Sequence, residues 1–151
     1  MTVSSREPLI DLIESALHIT RGLETRKFDD PRIVELTPVE RLVIQYLERT
    51  PGASLHDVAA EVNLQVSNAS AAIKRLVDVG LVERERDPED GRRMILSLTR
   101  RAAENLGRVH EEWLRVVDGA GLEDVDVEVA LRVLRSLDGW IAANRRATQP
   151  T

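Results

Sequence analysis

Apolar positions recur at helical spacing through most of the chain. Leu9, Leu12, Ile13, Ala16, Leu17 and Leu23 predict one helix to about Arg26, with Ser4 and Glu7 spaced as a capping box and Pro8 in its first turn. Phe28 to Leu36 holds Asp29, Asp30 and Pro31 and reads as a loop. Thr37 with Glu40 is a second capping box, followed by a buried stripe of Val39, Leu42, Val43, Tyr46 and Leu47 that ends at Pro51 and Gly52. Ser54 and Asp57 open a short third helix with Leu55, Val58, Ala59 and Val62 facing inward, and Asn63 suits a left-handed stop. Ser67 is spaced to cap a fourth helix running to Val79, with Ala69, Ala72, Ile73 and Leu76 inside and Gly80 closing it. Two short helices joined in this way form a helix-turn-helix.

The pattern then changes. Leu81 to Arg86 and Arg92 to Leu98 flank the turn-forming Asp87-Pro88-Glu89-Asp90-Gly91, which predicts a two-stranded hairpin with a charged tip, Ile95 and Leu98 flanking alternating positions. Thr99 caps a fifth helix faced by Ala103, Leu106, Val109, Trp113 and Val117, and Gly119 and Gly121 break it. From about Glu123 a sixth helix carries Val127, Ala130, Leu131, Leu134, Leu137 and Ile141, with fraying expected from Arg145 onward. No internal repeat or low-complexity stretch interrupts this order.

The length of 151 residues suits a single domain, 1–151, with a helical appendage. Aromatic residues are only 3% of the chain, so Leu, Val, Ile and Ala must build its core. The absence of cysteine excludes a disulfide framework, a thiolate metal site and a thiol-oxidation switch. Arg6, Glu7, Asp11 and Glu14 interrupt the N-terminal apolar residues, so no signal peptide is expected. No apolar run approaches the ~20 residues of a membrane span, and the expected location is the cytoplasm.

The run Val66-Ser67-Asn68-Ala69-Ser70-Ala71-Ala72-Ile73-Lys74-Arg75-Leu76, then Val79-Gly80-Leu81-Val82, resembles the recognition helix and its exit in the MarR family of bacterial transcription regulators. Asp87-Pro88-Glu89-Asp90-Gly91-Arg92-Arg93, ending in Leu96-Ser97-Leu98-Thr99, is similar to that family's wing signature. The resemblance spans Leu55 to Thr99. It implies a mainly α fold with a small β-hairpin: a winged helix-turn-helix lobe at 37–99, with a helical dimerisation region at 4–27 and 100–146. It also implies a homodimer on pseudo-palindromic duplex DNA and a crevice for small aromatic or phenolic effectors.

The residues make their own case for DNA. Along the fourth helix Asn68, Ala71 and Arg75 share one stripe and Ser67, Ser70 and Lys74 the next, both opposite Ile73 and Leu76. Short polar and cationic groups on such a face suit a major groove, with Asn68 matched to adenine or phosphate and Lys74 and Arg75 to phosphate or guanine. Ala71 departs from the family, which often has a longer polar or cationic residue there, and this gives more weight to shape readout. At the hairpin tip Arg92 suits a narrow minor groove, Asp90 is spaced to hold its guanidinium by a bidentate pair, and Arg93 is expected on the flanking backbone. From Leu64 to Arg101 there are eight Lys or Arg against six Asp or Glu, whereas the remainder has thirteen against twenty. The basic excess therefore lies on the reading head even though the net charge is -5.

Apolar stripes on the first, fifth and sixth helices exceed what the head can cover, and a symmetry mate is the expected cover. His18, Arg21, His110 and Trp113 lie on helices that line the effector crevice in the family, where imidazole, guanidinium and indole suit a phenolic carboxylate. His56 is expected near the DNA face or solvent. No GxSxG, P-loop, GxGxxG or HExxH motif is present (Leu114 stands where the second His after His110-Glu111 belongs), so an enzyme is not expected. Neither a cofactor nor a metal is expected. The resemblance implies a homodimeric, sequence-specific DNA-binding regulator, a repressor relieved by a small-molecule effector. The alternative is a winged-helix protein-interaction module that has lost DNA reading.

Overall fold

The structure, a computed structural model, describes residues 6–148. Its elements run α1 (Glu7–Glu24), α2 (Pro38–Arg49), α3 (Leu55–Glu61), α4 (Val66–Asp78), β1 (Val82–Arg86), β2 (Met94–Leu98), α5 (Arg100–Val117) and α6 (Asp124–Thr148). The chain divides into two units, one up to Trp113 and one from Leu114 onward. No helix of the described residues is long and apolar enough to cross a membrane.

The core of the first unit is Val43, Ile44, Leu47, Val58, Ile73, Leu76, Leu81, Val82 and Leu96, all essentially without solvent contact. It brings α2, α3, α4 and the hairpin together. Both predicted capping boxes are formed. Thr37 Oγ1 accepts from the Glu40 N–H while Glu40 Oε2 accepts from the Thr37 N–H, and Ser54 and Asp57 do the same on α3. The exits of α3 and α4 are Schellman motifs. Asn63 (φ 53°) and Gly80 (φ 73°) take the left-handed position, while the Leu64 and Leu81 amides reach back to the Ala59 and Leu76 carbonyls.

Several helix ends and faces differ from the sequence reading. Ser67 is not the cap of α4: Gln65, in extended conformation, precedes the helix, and Ser67 stands at its second position. Ser4 lies outside the described residues, and α1 starts after Arg6, which makes no side-chain cap. On α2 the inward face is turned toward Glu40, Val43, Ile44 and Leu47, leaving Leu42 exposed. On α5 it is Ala102, Asn105 and Val109, while Val117 is exposed. The described helix α6 continues to Thr148, past the expected fraying point.

β1 and β2 pair antiparallel, Val82 opposite Leu98 and Arg86 opposite Met94. Leu96 fills the core and Leu98 packs beside it, while Ile95 is half-buried. Ala53 adds an isolated bridge to Leu96, which ties the start of α3 to the hairpin. Thr99 joins three elements: its hydroxyl donates to the Gly80 carbonyl at 2.7 Å and accepts from the Ala102 N–H, and its amide donates to the Leu81 carbonyl. The hairpin is also held at its tip, where Arg93 Nη2 meets Asp57 Oδ2 at 2.8 Å.

Two measurements follow from these joints. Gly80→Ala forces a Cβ into the left-handed region, although the nearest atom, Arg101 Nη1 at 3.4 Å, is the end of a flexible side chain. The variant should lose about 1–2 kcal/mol in denaturant unfolding, and an unchanged midpoint would refute the Schellman exit. Asp57 is held below its ordinary value of 3.8, first by the Ser54 backbone and side-chain hydrogen bonds and further by Arg93. A lowered carboxylate contributes stability that is complete above 3.8 and is lost as pH falls through the folded-state value. Thermal unfolding at pH 5 and pH 3, set around that value, should therefore show a larger acid loss in the native chain than in Asp57→Asn. Equal losses would contradict this.

Candidate nucleic-acid interface and adjoining cavity

α4 buries Ala69, Ile73 and Leu76 and turns Ser67, Asn68, Ala71, Lys74 and Arg75 outward, with Ser70 half-buried beside them. The inner face is fixed by the core, so the outer face is presented by a rigid element. Among the described residues the side chains of Asn68 and Lys74 make no hydrogen bond or ion pair.

Arg75 behaves differently. Its Nη1 lies 3.2 Å from Glu40 Oε2, and Nη2 donates to the Glu35 carbonyl at 3.2 Å. Glu40 is 3% exposed, so its carboxylate depends on Arg75 Nη1 and on the Thr37 amide for the solvation it has lost. The sequence reading placed Arg75 toward phosphate or guanine, but the geometry places it across the gap to α2.

The wing tip is a closed turn. The Asp87 amide donates to the Arg93 carbonyl and the Arg93 amide to the Asp90 carbonyl, at 2.9 and 2.8 Å. Asp87 Oδ1 accepts from the amides of Glu89 and Asp90. Asp90 acts on Arg92 through the backbone: its Oδ1 accepts from the Arg92 N–H at 3.1 Å and not from the guanidinium, as the sequence reading had it. The Arg92 side chain is thereby left exposed, with no hydrogen bond or ion pair among the described residues. Arg93, expected on a nucleic-acid backbone, is paired to Asp57. His56, on α3, is exposed.

A cavity of about 80 Å³ lies between the 28–36 loop, α2 and α5, lined by Phe28, Val34, Leu36, Arg41, Trp113 and their neighbours. The Arg41 guanidinium stands 5.4 Å from the centroid of the Trp113 ring, and the His110 ring lies 5.5 Å from the same ring at 38°. Arg41 Nε and Trp113 Nε1 are buried donors with no acceptor within the described residues. A partly closed cavity lined by these two residues suits a small molecule that carries acceptor oxygens. Of the four residues the sequence offered for such a site, His110 and Trp113 line this cavity. His18 and Arg21 are exposed on α1 and are not among its lining residues.

The sequence reading missed Arg41, Glu40 and Asn105. Asn105 is 2% exposed and clamps the loop, accepting from the Val34 N–H at 2.7 Å and donating to the Val34 carbonyl at 3.2 Å. Its signal was a polar residue set at i+3 and i−4 between Ala102 and Val109 on the buried face of α5. In the loop itself Asp30 pairs with Arg32, whose side-chain and backbone hydrogen bonds lower the carboxyl to about 2.

Comparison with known proteins agrees with this geometry. The family model described as MarR family matches residues 35–93. The HTH-type transcriptional regulator BilQ of Clostridium symbiosum (strain WAL-14163) is 31% identical over 71 residues, which are 45% of this chain and 49% of that regulator. The chain thus matches about half the length of that curated relative. Among solved structures, the transcriptional regulator SlyA superposes with a TM-score of 0.68 at 17% identity, covering 92% of this chain and 99% of SlyA. BpsR of Bordetella bronchiseptica, a structure concerned with regulation of its DNA binding by 6-hydroxynicotinic acid, superposes at 0.60 and 21% identity over 87% of this chain and 98% of BpsR. These two likenesses establish the fold. The family match across 35–93 falls on the winged helix-turn-helix lobe, which is similar to that of MarR-family regulators.

Proposed function

We propose that this chain is a transcriptional regulator that binds duplex DNA as a homodimer, with α4 in the major groove and the wing in the minor groove. The observation that carries it is the pairing of two unengaged cationic and polar groups on rigid supports: the Asn68 and Lys74 face of α4 and the Arg92 side chain on a closed turn. Arg92 supplies a guanidinium to a narrow minor groove. Lys74, Ser67 and Ser70 meet phosphates or base edges, and Asp90 contributes by shaping the turn. Arg93 acts through Asp57, setting where the tip lies.

A second copy of the chain is the partner we assign to the apolar helices. Ile10, Ile13, Leu17 and Ile19 on α1 are exposed, as are Val127, Leu131, Leu134 and Ile141 on α6. A twofold dimer matches a pseudo-palindromic operator, with heads ~34–36 Å apart. Repression relieved by a ligand is the regulatory sense we assign. A small aromatic or phenolic acid in the cavity answers Arg41 Nε and Trp113 Nε1, and by linkage it lowers operator affinity by the factor with which DNA lowers its own. BpsR, with its 6-hydroxynicotinic acid, is the relative that lends this chemistry support.

The test is fluorescence anisotropy with duplexes tiling the intergenic region upstream of the coding gene, against scrambled duplex at two salt concentrations. Selective, salt-sensitive binding at two protomers per palindrome is expected, and Arg92→Ala should weaken it about tenfold, or ~1.4 kcal/mol, with the fold intact. Unchanged affinity in that variant would refute the wing assignment. No binding even at low salt would favour the protein-interaction module. Hydroxybenzoate added to the complex should release the duplex, and Arg41→Leu should abolish the release. Release that persists in Arg41→Leu would remove the cavity from the account.

A further inference from the structure

We infer that α4 reads adenine·thymine pairs, with Asn68 specifying adenine and Ala71 seating against a thymine methyl, and that Arg75 is a positioning residue which takes no guanine. The inference rests on the DNA-binding reading above and narrows it to a class of operator.

Guanine is read most often by a bidentate arginine or lysine, because O6 and N7 are two acceptors side by side. α4 carries one arginine, and both of its terminal nitrogens are committed, to Glu40 Oε2 and to the Glu35 carbonyl. Moving that guanidinium onto a base edge would leave the Glu40 carboxylate, 4% exposed, buried without its cation. Lys74 is the remaining cation of the helix and stands on the flank away from Asn68. Its compact, strongly hydrated ammonium suits a phosphate more than a bidentate edge.

The outward face that remains is short. Asn68 is exposed in the first turn, and its carboxamide offers one donor and one acceptor, the complement of adenine N7 and N6. Ala71, one turn further on, is also exposed. Its methyl lets the helix approach the groove floor closely, and the base group that rewards an apolar contact there is the thymine C5 methyl. Ser67 and Ser70 donate or accept with either base type and do not oppose this preference. The network behind the face serves readout indirectly. Arg75 and Glu40 fix the angle at which α4 leaves α2, and so decide how Asn68 and Ala71 meet the groove.

The experiment selects binders to the full-length protein from a random duplex library, then measures affinities for the selected duplex and its variants. The major-groove core of each half-site should converge on adenine·thymine pairs. Deoxyuridine in place of one core thymidine, which deletes only the methyl, should weaken binding about threefold. Asn68→Ala should lose roughly tenfold discrimination at one adenine while keeping its affinity for scrambled duplex. Arg75→Gln should lower affinity for the selected duplex more than for scrambled duplex, without changing which core bases are preferred, and Arg75→Lys, which retains a charge for Glu40, should restore most of the loss. A core guanine whose preference disappears in Arg75→Gln would overturn the inference, as would indifference to deoxyuridine at every core thymidine. Either result leaves the regulator reading standing, whereas a library yielding no selected duplex would overturn both.

Discussion

The buried carboxylate of Glu40 is the constraint on which the reading head turns. It closes the capping box of α2 through the Thr37 amide and holds the Arg75 guanidinium of α4. Arg75 in turn grips the Glu35 carbonyl in the loop that lines the cavity. A carboxylate that is 3% exposed must have its donors, so one electrostatic requirement ties α4 to the start of α2 and the loop just before it, across 35 positions. The apolar core supplies the driving force for packing α2 against α4, and the Glu40–Arg75 pair adds a polar contact between them. Asn105 does similar work one residue away, holding Val34 to α5. The segment 33–36 is thereby shared between the cavity wall and the helix that faces outward.

The helices and their ends were legible because they are local. Thr37 with Glu40, Ser54 with Asp57, Asn63 and Gly80 announce starts and stops within four residues of where they act. The order of elements and the wing motif carried the fold for the same reason. The pairings between elements were less legible. Arg75 finds Glu40 across 35 positions and Arg93 finds Asp57 across 36, and no spacing rule reaches that far. Both arginines looked available for nucleic acid in the sequence, because a cation on an exposed face carries no mark of a partner on another element. The same limit hid Arg41, half of the donor pair in the cavity, while His18 and Arg21 were grouped with that cavity on family likeness alone. Faces were misjudged where a polar residue is the buried one: Glu40 and Asn105 rotate the inward sides of α2 and α5 away from what apolar periodicity alone selects.

The structural consequence is a division of labour among the charges. Arg75 and Arg93 are used internally, to set α4 and the wing, while Lys74 and Arg92 remain outward. A head that spends two of its arginines on geometry has few left for affinity. That fits a chain whose total charge is acidic and whose basic excess is confined to one lobe. On this account selectivity comes from the placement of short side chains, with phosphate contacts adding strength that salt removes.

The most direct measurement is hydrogen exchange of the full-length protein, free and bound to its selected duplex. The account predicts added protection at the first turns of α4 and across the wing turn from Asp87 to Arg93. The Glu40 amide and the start of α2, already fixed by the capping box, should change little. Protection confined to α1 and α6, with α4 and the wing exchanging as in the free protein, would contradict the account at its centre.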